Sequence, residues 1–473
     1  MSGERIDTDL CVIGGGSGGL ALAAGAVQMG ARVVLVEGHK MGGDCLNYGC
    51  VPSKALLAAG KAAHAMEGGF GVAGVAAQVD FAAAKDHVDS VIAAIAPHDS
   101  VERFEGLGVR VIQDWARFTS PREVTAGGHV IRARRFVVAT GSSPFVPPIP
   151  GLNETPYLTN ETVFGLRERP DHLIVIGGGP IGMEMAQAHR RLGCRVSVVE
   201  GAHALGRDDP ELAGIVVARL RAEGIDIHEQ TPAESVRACE DGGVEVALPD
   251  GRALQGSHLL VAVGRKPNTD RLDLDTAGVA SDRGGVRVDA RLRSTNRRVY
   301  AIGDVAGQGQ FTHLAGYQAG VVIRSILLGL PAKARGAHIP RATYTDPELA
   351  QVGLTEAEAR EAFGDKLTVV RFPYADNDRA QAEGRTEGMV KVMVARGRPV
   401  GAGIAGAQAG DLIGPWAMAM ANGLKMSALA NTVLPYPVLG EINKRAAGAY
   451  FSPKLFDNPV LKRVVRAVQA VVP

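Results

Sequence analysis

Two stretches of the chain repeat one pattern of apolar and polar positions. The first is "CVIGGGSGGLALAAGAVQMGARVVLVEG", Cys11 to Gly38, and the second is "IVIGGGPIGMEMAQAHRRLGCRVSVVEG", Ile174 to Gly201. In each, a short β-branched run enters a glycine-rich turn, a helical stretch follows, a lone glycine (Gly30; Gly193) ends it, and a second apolar run closes on a glutamate. Matched positions keep one offset, 163 residues, from Gly14 to Gly177 and from Glu37 to Glu200. Strand, turn, helix and strand are therefore predicted twice. A third pattern lies in "SPKLFDNPVLKRVVRAVQAVVP". There Val460, Leu461, Val464, Val465 and Val468 recur at helical spacing with Lys462, Arg463 and Arg466 on the other face. This predicts either a helix packed on its own dimer or a basic amphipathic surface for a membrane or protein partner.

The repeated turn is G-x-G-x-x-G, with Gly14, Gly16 and Gly19 in the first copy and Gly177, Gly179 and Gly182 in the second. The first glycine permits the tight turn, the second lets backbone approach a pyrophosphate, and the third lets helix and strand pack closely. Phosphates then face helix amides and the positive end of the helix dipole. Glu37 and Glu200 sit at the tip of the following strand, where a carboxylate accepts hydrogen bonds from a ribose diol. Two dinucleotide sites are expected.

Composition narrows the class. With 473 residues, about three domains of ordinary size are expected. Apolar residues make up 46% and charged residues 21%, the balance of a soluble globular protein. A net charge of +1 lacks the basic footprint that a nucleic acid requires, so no nucleic-acid partner is expected. The opening "MSGERIDTDL" has acids where a secretory signal would be basic and then apolar, and the expectation is a cytoplasmic protein. In such a compartment a close cysteine pair is more often catalytic or metal-binding than structural.

Such a pair stands in "GGDCLNYGCVPSK", Gly42 to Lys54. Zinc sites commonly use four ligands, and here one C-x₄-C has no second half and no histidine cluster, so no metal site is expected. If Cys45 and Cys50 open one helix, five positions span little more than a turn, which permits a disulfide after modest distortion. A helix N-terminus would also favour thiolate. Because a redox pair has a purpose beside a flavin, FAD is assigned to the first copy (Gly14, Gly16, Gly19, Glu37). The nicotinamide donor goes to the second (Gly177, Gly179, Gly182, Glu200). Glu200 repels a 2′-phosphate, which favours NADH, and Arg207 nearby in sequence keeps NADPH as the alternative.

The cysteine segment resembles that of the FAD-dependent pyridine nucleotide-disulfide oxidoreductases, the family of dihydrolipoamide dehydrogenase, glutathione reductase and mercuric reductase. The likeness extends to "ATG" at Ala139–Gly141, "VGRKPN" at Val263–Asn268, "VYAIGDVAG" at Val299–Gly307 and "YTDPELAQVGLTE" at Tyr344–Glu356. The resemblance implies an α/β fold of two Rossmann-like dinucleotide-binding domains, for FAD and NAD(P), plus a C-terminal α+β dimerisation domain. The bounds expected are 1–155 with 270–342 for FAD, 156–269 for NAD(P)H and 343–473 for the dimerisation domain. It implies Cys50 as the thiolate against the flavin, Cys45 as the interchange thiol, Lys54 near the flavin paired with Glu184, and Asp304 at the ribityl and phosphate region. Gly43, Thr140, Gly141, Gly264 and Gly303 join the cofactor-binding set. Electrons would pass from NAD(P)H through FAD and the Cys45–Cys50 disulfide to a small disulfide, quinone or soft-metal acceptor, in a homodimer.

The chain departs from this pattern at named positions. Disulfide-reducing relatives carry histidine, proline and, five positions after the histidine, glutamate, contributed across the dimer interface. Here "LPYPVLGE" keeps Pro437 and Glu441 but has Tyr436. A phenol with pKa of about 10 is a poor proton acceptor at neutral pH. Mercuric reductase also carries tyrosine there, but resembles an enzyme with a further cysteine pair near its end, and this chain has no cysteine after Cys239. Asp44 stands where relatives often have threonine and is expected to raise the pKa of Cys45. Cys11 and Cys194 are expected to be buried, Cys239 to be exposed, and His313 to have a packing or capping role.

Overall fold

The computed structural model describes residues 4–240 and 242–472. The chain forms two compact units, Met1–Ala202 with Ile225–Arg335, and His203–Gly224 with Gly336–Pro473.

The first unit is built on two parallel sheets. Strands Arg110–Gln113, Val33–Glu37, Arg5–Ile13 and His129–Val138 lie side by side in that order, all parallel, with Cys11 opposite Val34 on one side and Phe136 on the other. Beyond His129–Val138, its first half pairs antiparallel with Glu123–Ala126 and its second half parallel with Val299–Ala301. The second sheet runs Asp226–His228, Arg195–Val199, His172–Ile176, His258–Val261, again parallel. Strands of this kind are covered on both faces, which is why "CVI", "VVLV" and "LIVI" are uninterrupted apolar runs rather than alternating ones. Helices Ser17–Gln28 and Pro180–Arg191 are the crossovers of the two repeats. A three-stranded antiparallel sheet, Ser235–Ala238, Val244–Ala247 and Ala253–Gly256, is inserted after the second. Cys11 and Cys194 are both buried, and Cys239 is half-buried rather than exposed.

The second unit is a five-stranded antiparallel sheet in the order Arg341–Thr343, Glu348–Gly353, Arg398–Gly406, Met389–Ala395, Leu367–Pro373. Its core joins Val352, Val392 and Ile404 of the strands to Trp416, Ile442 and Ala446 of the helices. The Trp416 indole is buried but donates to Asn443 Oδ1 at 2.7 Å, so its N–H stays paired.

The segment His203–Gly224 falls within the 156–269 stretch expected for the nicotinamide domain, yet it packs with the second unit. Charge fastens it there. Asp209, 1% exposed, caps helix Pro210–Ala222 by accepting from the Glu211 amide, and receives Lys391 Nζ at 2.8 and 2.9 Å. The same ammonium lies 2.8 Å from Glu211 and 2.7 Å from Glu356, while Arg371 bridges both of those carboxylates. Burial pushes the Glu356 carboxyl up, but hydrogen bonds from Lys391 and Arg360 prevail and hold it down at about 2. Its folded pKa is thus depressed, so its contribution to stability is full above the ordinary carboxylate range and is lost as pH falls from about 4.5 towards 2. Lys391→Met leaves Asp209 buried without its cation, and a loss of about 3–5 kcal/mol is expected. Thermal unfolding of the variant checks this; an unchanged midpoint at pH 7 contradicts it.

Candidate active site

The two glycine-rich turns match in detail. Gly14 and Gly177 both have φ of +111°, and a Cβ on either would strike the carbonyl just past the end of the neighbouring strand, Ala139 or Ala262. A Cβ on Gly19 or Gly182 would overlap the carbonyl oxygen of Gly14 or Gly177. At Gly179, by contrast, a Cβ would meet nothing within 4 Å. The helices starting after Gly16 and Gly179 have no side-chain cap, which leaves their first amides for a phosphate. Glu37 accepts from the amides of Gly15 (2.5 Å) and His39 (2.6 Å), and Glu200 from those of Gly178 (2.7 Å) and Ala202 (2.8 Å). Each carboxylate is thereby fixed beside its turn. These features fit a dinucleotide pyrophosphate at both sites.

The cysteine segment sits on the first turn. The Gly42 amide donates to the Gly15 carbonyl at 2.9 Å, and a Cβ on Gly43, φ +60°, would press on Gly16 Cα at 2.8 Å. Cys45 lies in helix Gly43–Asn47 and Cys50 opens helix Cys50–Ala65, so the expected single helix is in fact broken at Tyr48 and Gly49. The break falls on a glycine with φ −125° and ψ −109°, where a Cβ would crowd Asp44 Oδ2 at 2.8 Å. Both sulfurs are free thiols that hydrogen-bond to one another. The bond from Cys45, the Thr312 hydroxyl and the nearby Lys54 ammonium overcome burial and hold Cys50 down at about 6. Cys45 is correspondingly pushed up, first by that same bond and then by burial. The pair is thereby biased towards a Cys50 thiolate beside a Cys45 thiol.

Asp44 does not act as expected. Its carboxylate pairs with Arg265 at 2.9 Å and accepts from Asn160 at 3.0 Å, and the weak upward pull it exerts falls on Cys50. Arg265, 10% exposed, also donates to Ser142 Oγ and to the Ser142 carbonyl, each at 2.7 Å. Ser142 Oγ in turn donates to Asp304 Oδ2 at 2.5 Å, and burial raises the Asp304 carboxyl. Around this chain the backbone is pinned by side chains and by backbone pairs. Thr140 and Asn268 exchange hydrogen bonds of 2.7 and 3.0 Å, Gly141 accepts from the Asn268 amide, Gly264 accepts from Phe145, and the Gly303 amide donates to buried Gln318. Lys54 Nζ lies 2.7 Å from Glu184 Oε2, which joins the cysteine helix to the helix of the second turn.

Thr312, Arg265, Asn160, Ser142 and Gln318 were not singled out in the sequence. Thr312 Oγ1 lies 3.3 Å from Cys50 Sγ, one position before the histidine that drew attention; His313 is exposed and stacks on Phe311. Among the described residues no group of three or more His, Cys, Asp or Glu could hold a metal ion. Tyr436 and Glu441 belong to the second unit. The Tyr436 hydroxyl donates to Asp378 Oδ2 at 2.8 Å, and Arg445 approaches the same oxygen at 3.3 Å. The bond to Asp378 raises the phenol above its ordinary value. Glu441 Oε2 is buried with no hydrogen-bond partner.

Comparison with known proteins agrees along most of the chain. The family described as pyridine nucleotide-disulphide oxidoreductase matches residues 8–319, and its dimerisation domain matches 339–447. A mercuric reductase of Streptomyces lividans is 35% identical over 457 residues, covering 94% of this chain and 96% of that one. A dihydrolipoyl dehydrogenase of Bacillus subtilis (strain 168) is 34% identical over 458 residues, with 93% and 96% covered. Among solved structures, the HOCl-induced flavoprotein disulfide reductase RclA from Escherichia coli has a TM-score of 0.84 at 30% identity, covering 93% of this chain and 99% of that one. LpdA from Mycobacterium tuberculosis has a TM-score of 0.85 at 27%, with 94% and 99% covered.

In the reduced protein, alkylation of the cysteine pair should follow a thiolate that forms near pH 6. Thr312→Val removes one hydrogen bond to that thiolate and should raise the midpoint by about one unit. The pH profile of iodoacetamide labelling reads both; a midpoint near 9 in the two proteins alike contradicts the assignment.

Proposed function

Because the chain belongs to the pyridine nucleotide-disulphide oxidoreductase family, and is a flavin-dependent NAD(P)H:disulfide oxidoreductase, we propose that its acceptor is one that needs no proton delivered to it. The preferred class is a disulfide whose thiols ionise at or below neutral pH. The observation that supports this is the Tyr436 hydroxyl turned to Asp378 while Glu441 Oε2 is left without a partner. Relatives with histidine there have a group that titrates near neutrality; here a phenol is held above its ordinary pKa.

Gly14, Gly16, Gly19 and Glu37 would hold FAD, whose chemistry there would be to accept a hydride from the nicotinamide and supply two electrons to the Cys45–Cys50 disulfide. The protein then holds Cys45 as thiol and Cys50 as thiolate. Cys45 sulfur attacks one acceptor sulfur and its proton moves to Cys50 along their hydrogen bond, breaking the acceptor S–S bond and releasing one thiolate. That thiolate leaves unprotonated, and Cys50 gives its proton to water. Cys50 then attacks Cys45, re-forms the Cys45–Cys50 disulfide and releases the second thiolate. Two electrons have left the pair with two product thiolates, and one proton has gone to water. A good leaving thiolate makes both departures fast without an acid. An aliphatic disulfide of the lipoamide kind needs its leaving sulfur protonated, and its dithiol needs a base in reverse, so both directions are slow.

Lys54 and Glu184 are assigned to position the flavin edge, and Glu37 and Asp304, with Gly43, Thr140, Gly141, Gly264 and Gly303, to hold FAD. Glu200 is assigned to the adenosine ribose, which favours NADH over NADPH. The partner subunit's Tyr436 is assigned to border the acceptor in the homodimer. A second reading is reduction of a thiophilic ion at the same sulfurs, prompted by the likeness to mercuric reductases and to the Cu(II) complex of RclA.

A panel of acceptors separates these. An aromatic disulfide should be reduced at least about tenfold faster than lipoamide, judged by kcat/KM. Tyr436→His should raise lipoamide turnover about a hundredfold in both directions while barely changing the aromatic disulfide. Equal rates with the two disulfides contradict the proposal, and Hg(II)-stimulated NADH oxidation that survives excess thiol favours the second reading. In the same assays NADH should exceed NADPH in kcat/KM; the reverse order contradicts the role of Glu200.

A further inference from the structure

Helix Pro459–Gln469 buries none of its residues. Val460, Val464, Val465 and Val468 are 48–62% exposed, and Leu461 alone is half-buried. At about 100° per residue, Val460, Leu461, Val464, Val465 and Val468 share one arc of about 140°, and Lys462, Arg463 and Arg466 fall together on the other side. Among the described residues none of these three cations is ion-paired. Ahead of the helix, Leu455 and Phe456 are also exposed.

The helix carries its own start signal. Pro459 occupies the first turn, and the Asn458 side chain accepts from the amides of Val460 (2.9 Å) and Leu461 (3.1 Å). Eleven residues is nevertheless below the length at which an isolated helix is stable in water, so covering the apolar arc is what completes it.

Charge selects the occupant. Residues 452–472 contain Lys454, Lys462, Arg463 and Arg466 but only one acid, Asp457. The chain as a whole is +1, so without this segment it is net acidic. A second copy of the helix would cover the valines but leave the cations facing water without an anionic partner. A bilayer with anionic headgroups takes both arcs at once, the valines at the acyl boundary and the cations among the headgroups. No helix among the described residues is long and apolar enough to cross a membrane, so the contact is with the surface.

We propose that helix Pro459–Gln469, with Leu455 and Phe456, docks this protein on an anionic lipid surface. The test is flotation of the full-length, FAD-loaded protein with vesicles of phosphatidylcholine alone and of phosphatidylcholine with phosphatidylglycerol, at low and high salt. The protein should float only with the anionic vesicles and be released by salt. Lys462→Ser/Arg463→Ser/Arg466→Ser should lower the partition coefficient about a hundredfold. Val464→Asp/Val468→Asp should abolish binding. Both variants should keep the dimer and the NADH oxidation rate with an aromatic disulfide. Failure of the wild type to float with anionic vesicles overturns the proposal. So does equal, salt-insensitive binding to both vesicle types. Loss of the dimer in Val464→Asp/Val468→Asp, with no vesicle binding by the wild type, assigns the face to a second copy.

Discussion

The arrangement depends on the close approach of two glycine-rich backbones. Gly42 and Gly43 lie on Gly15 and Gly16 at a distance that leaves no room for a Cβ at Gly43. The positive φ at Gly42 and Gly43 turns the chain immediately into the helix that bears Cys45. The redox sulfurs are therefore placed by the same few residues that make the first glycine-rich turn. Their position is inherited from backbone contact, which is stiffer than any side-chain link.

From that placement the electrostatics follow. Two thiols in hydrogen-bond contact cannot both ionise cheaply, so the pair divides into one thiolate and one thiol. The hydrogen bond from Cys45 and then the Lys54 ammonium favour Cys50 as the thiolate, while the Thr312 hydroxyl lowers both sulfurs. Asp44 is a carboxylate between the Gly43 turn and Cys45, and left bare it would oppose this. Arg265 and Asn160 engage it, and Arg265 carries the link on through Ser142 to Asp304. One connected set of polar groups thus joins the cysteine loop to the 303–306 turn, with Ser142 and Asn160 buried and every member hydrogen-bonded or ion-paired.

The repeats, the α/β class and the redox character of the cysteine pair were legible because each is written in contiguous residues at fixed spacing. The glycines report backbone geometry directly, and the β-branched runs report burial. What was not legible arises where distant segments meet. The Asp44 carboxylate reads as a perturbation of Cys45 until Arg265, 221 positions away in the sequence, is seen beside it. Thr312 is an ordinary residue in "FTHLAGYQAG" until its hydroxyl is found at Cys50. The packing of 203–224 with the second unit depends on Lys391, a buried cation that no local pattern announces. Tyr436 was visible as a departure, but its bond to Asp378 was not, because Asp378 lies on a separate short helix.

The central claim is that reducing equivalents from NAD(P)H leave through the Cys45–Cys50 disulfide. The most direct measurement is anaerobic addition of one equivalent of NADH to the oxidised, FAD-loaded protein, followed by acid quench, alkylation and peptide mass spectrometry. The account predicts that the peptide linking Cys45 to Cys50 disappears in proportion to NADH consumed and that both cysteines become alkylated. NADH consumption with the two sulfurs still linked, or with no link present at the start, would contradict it.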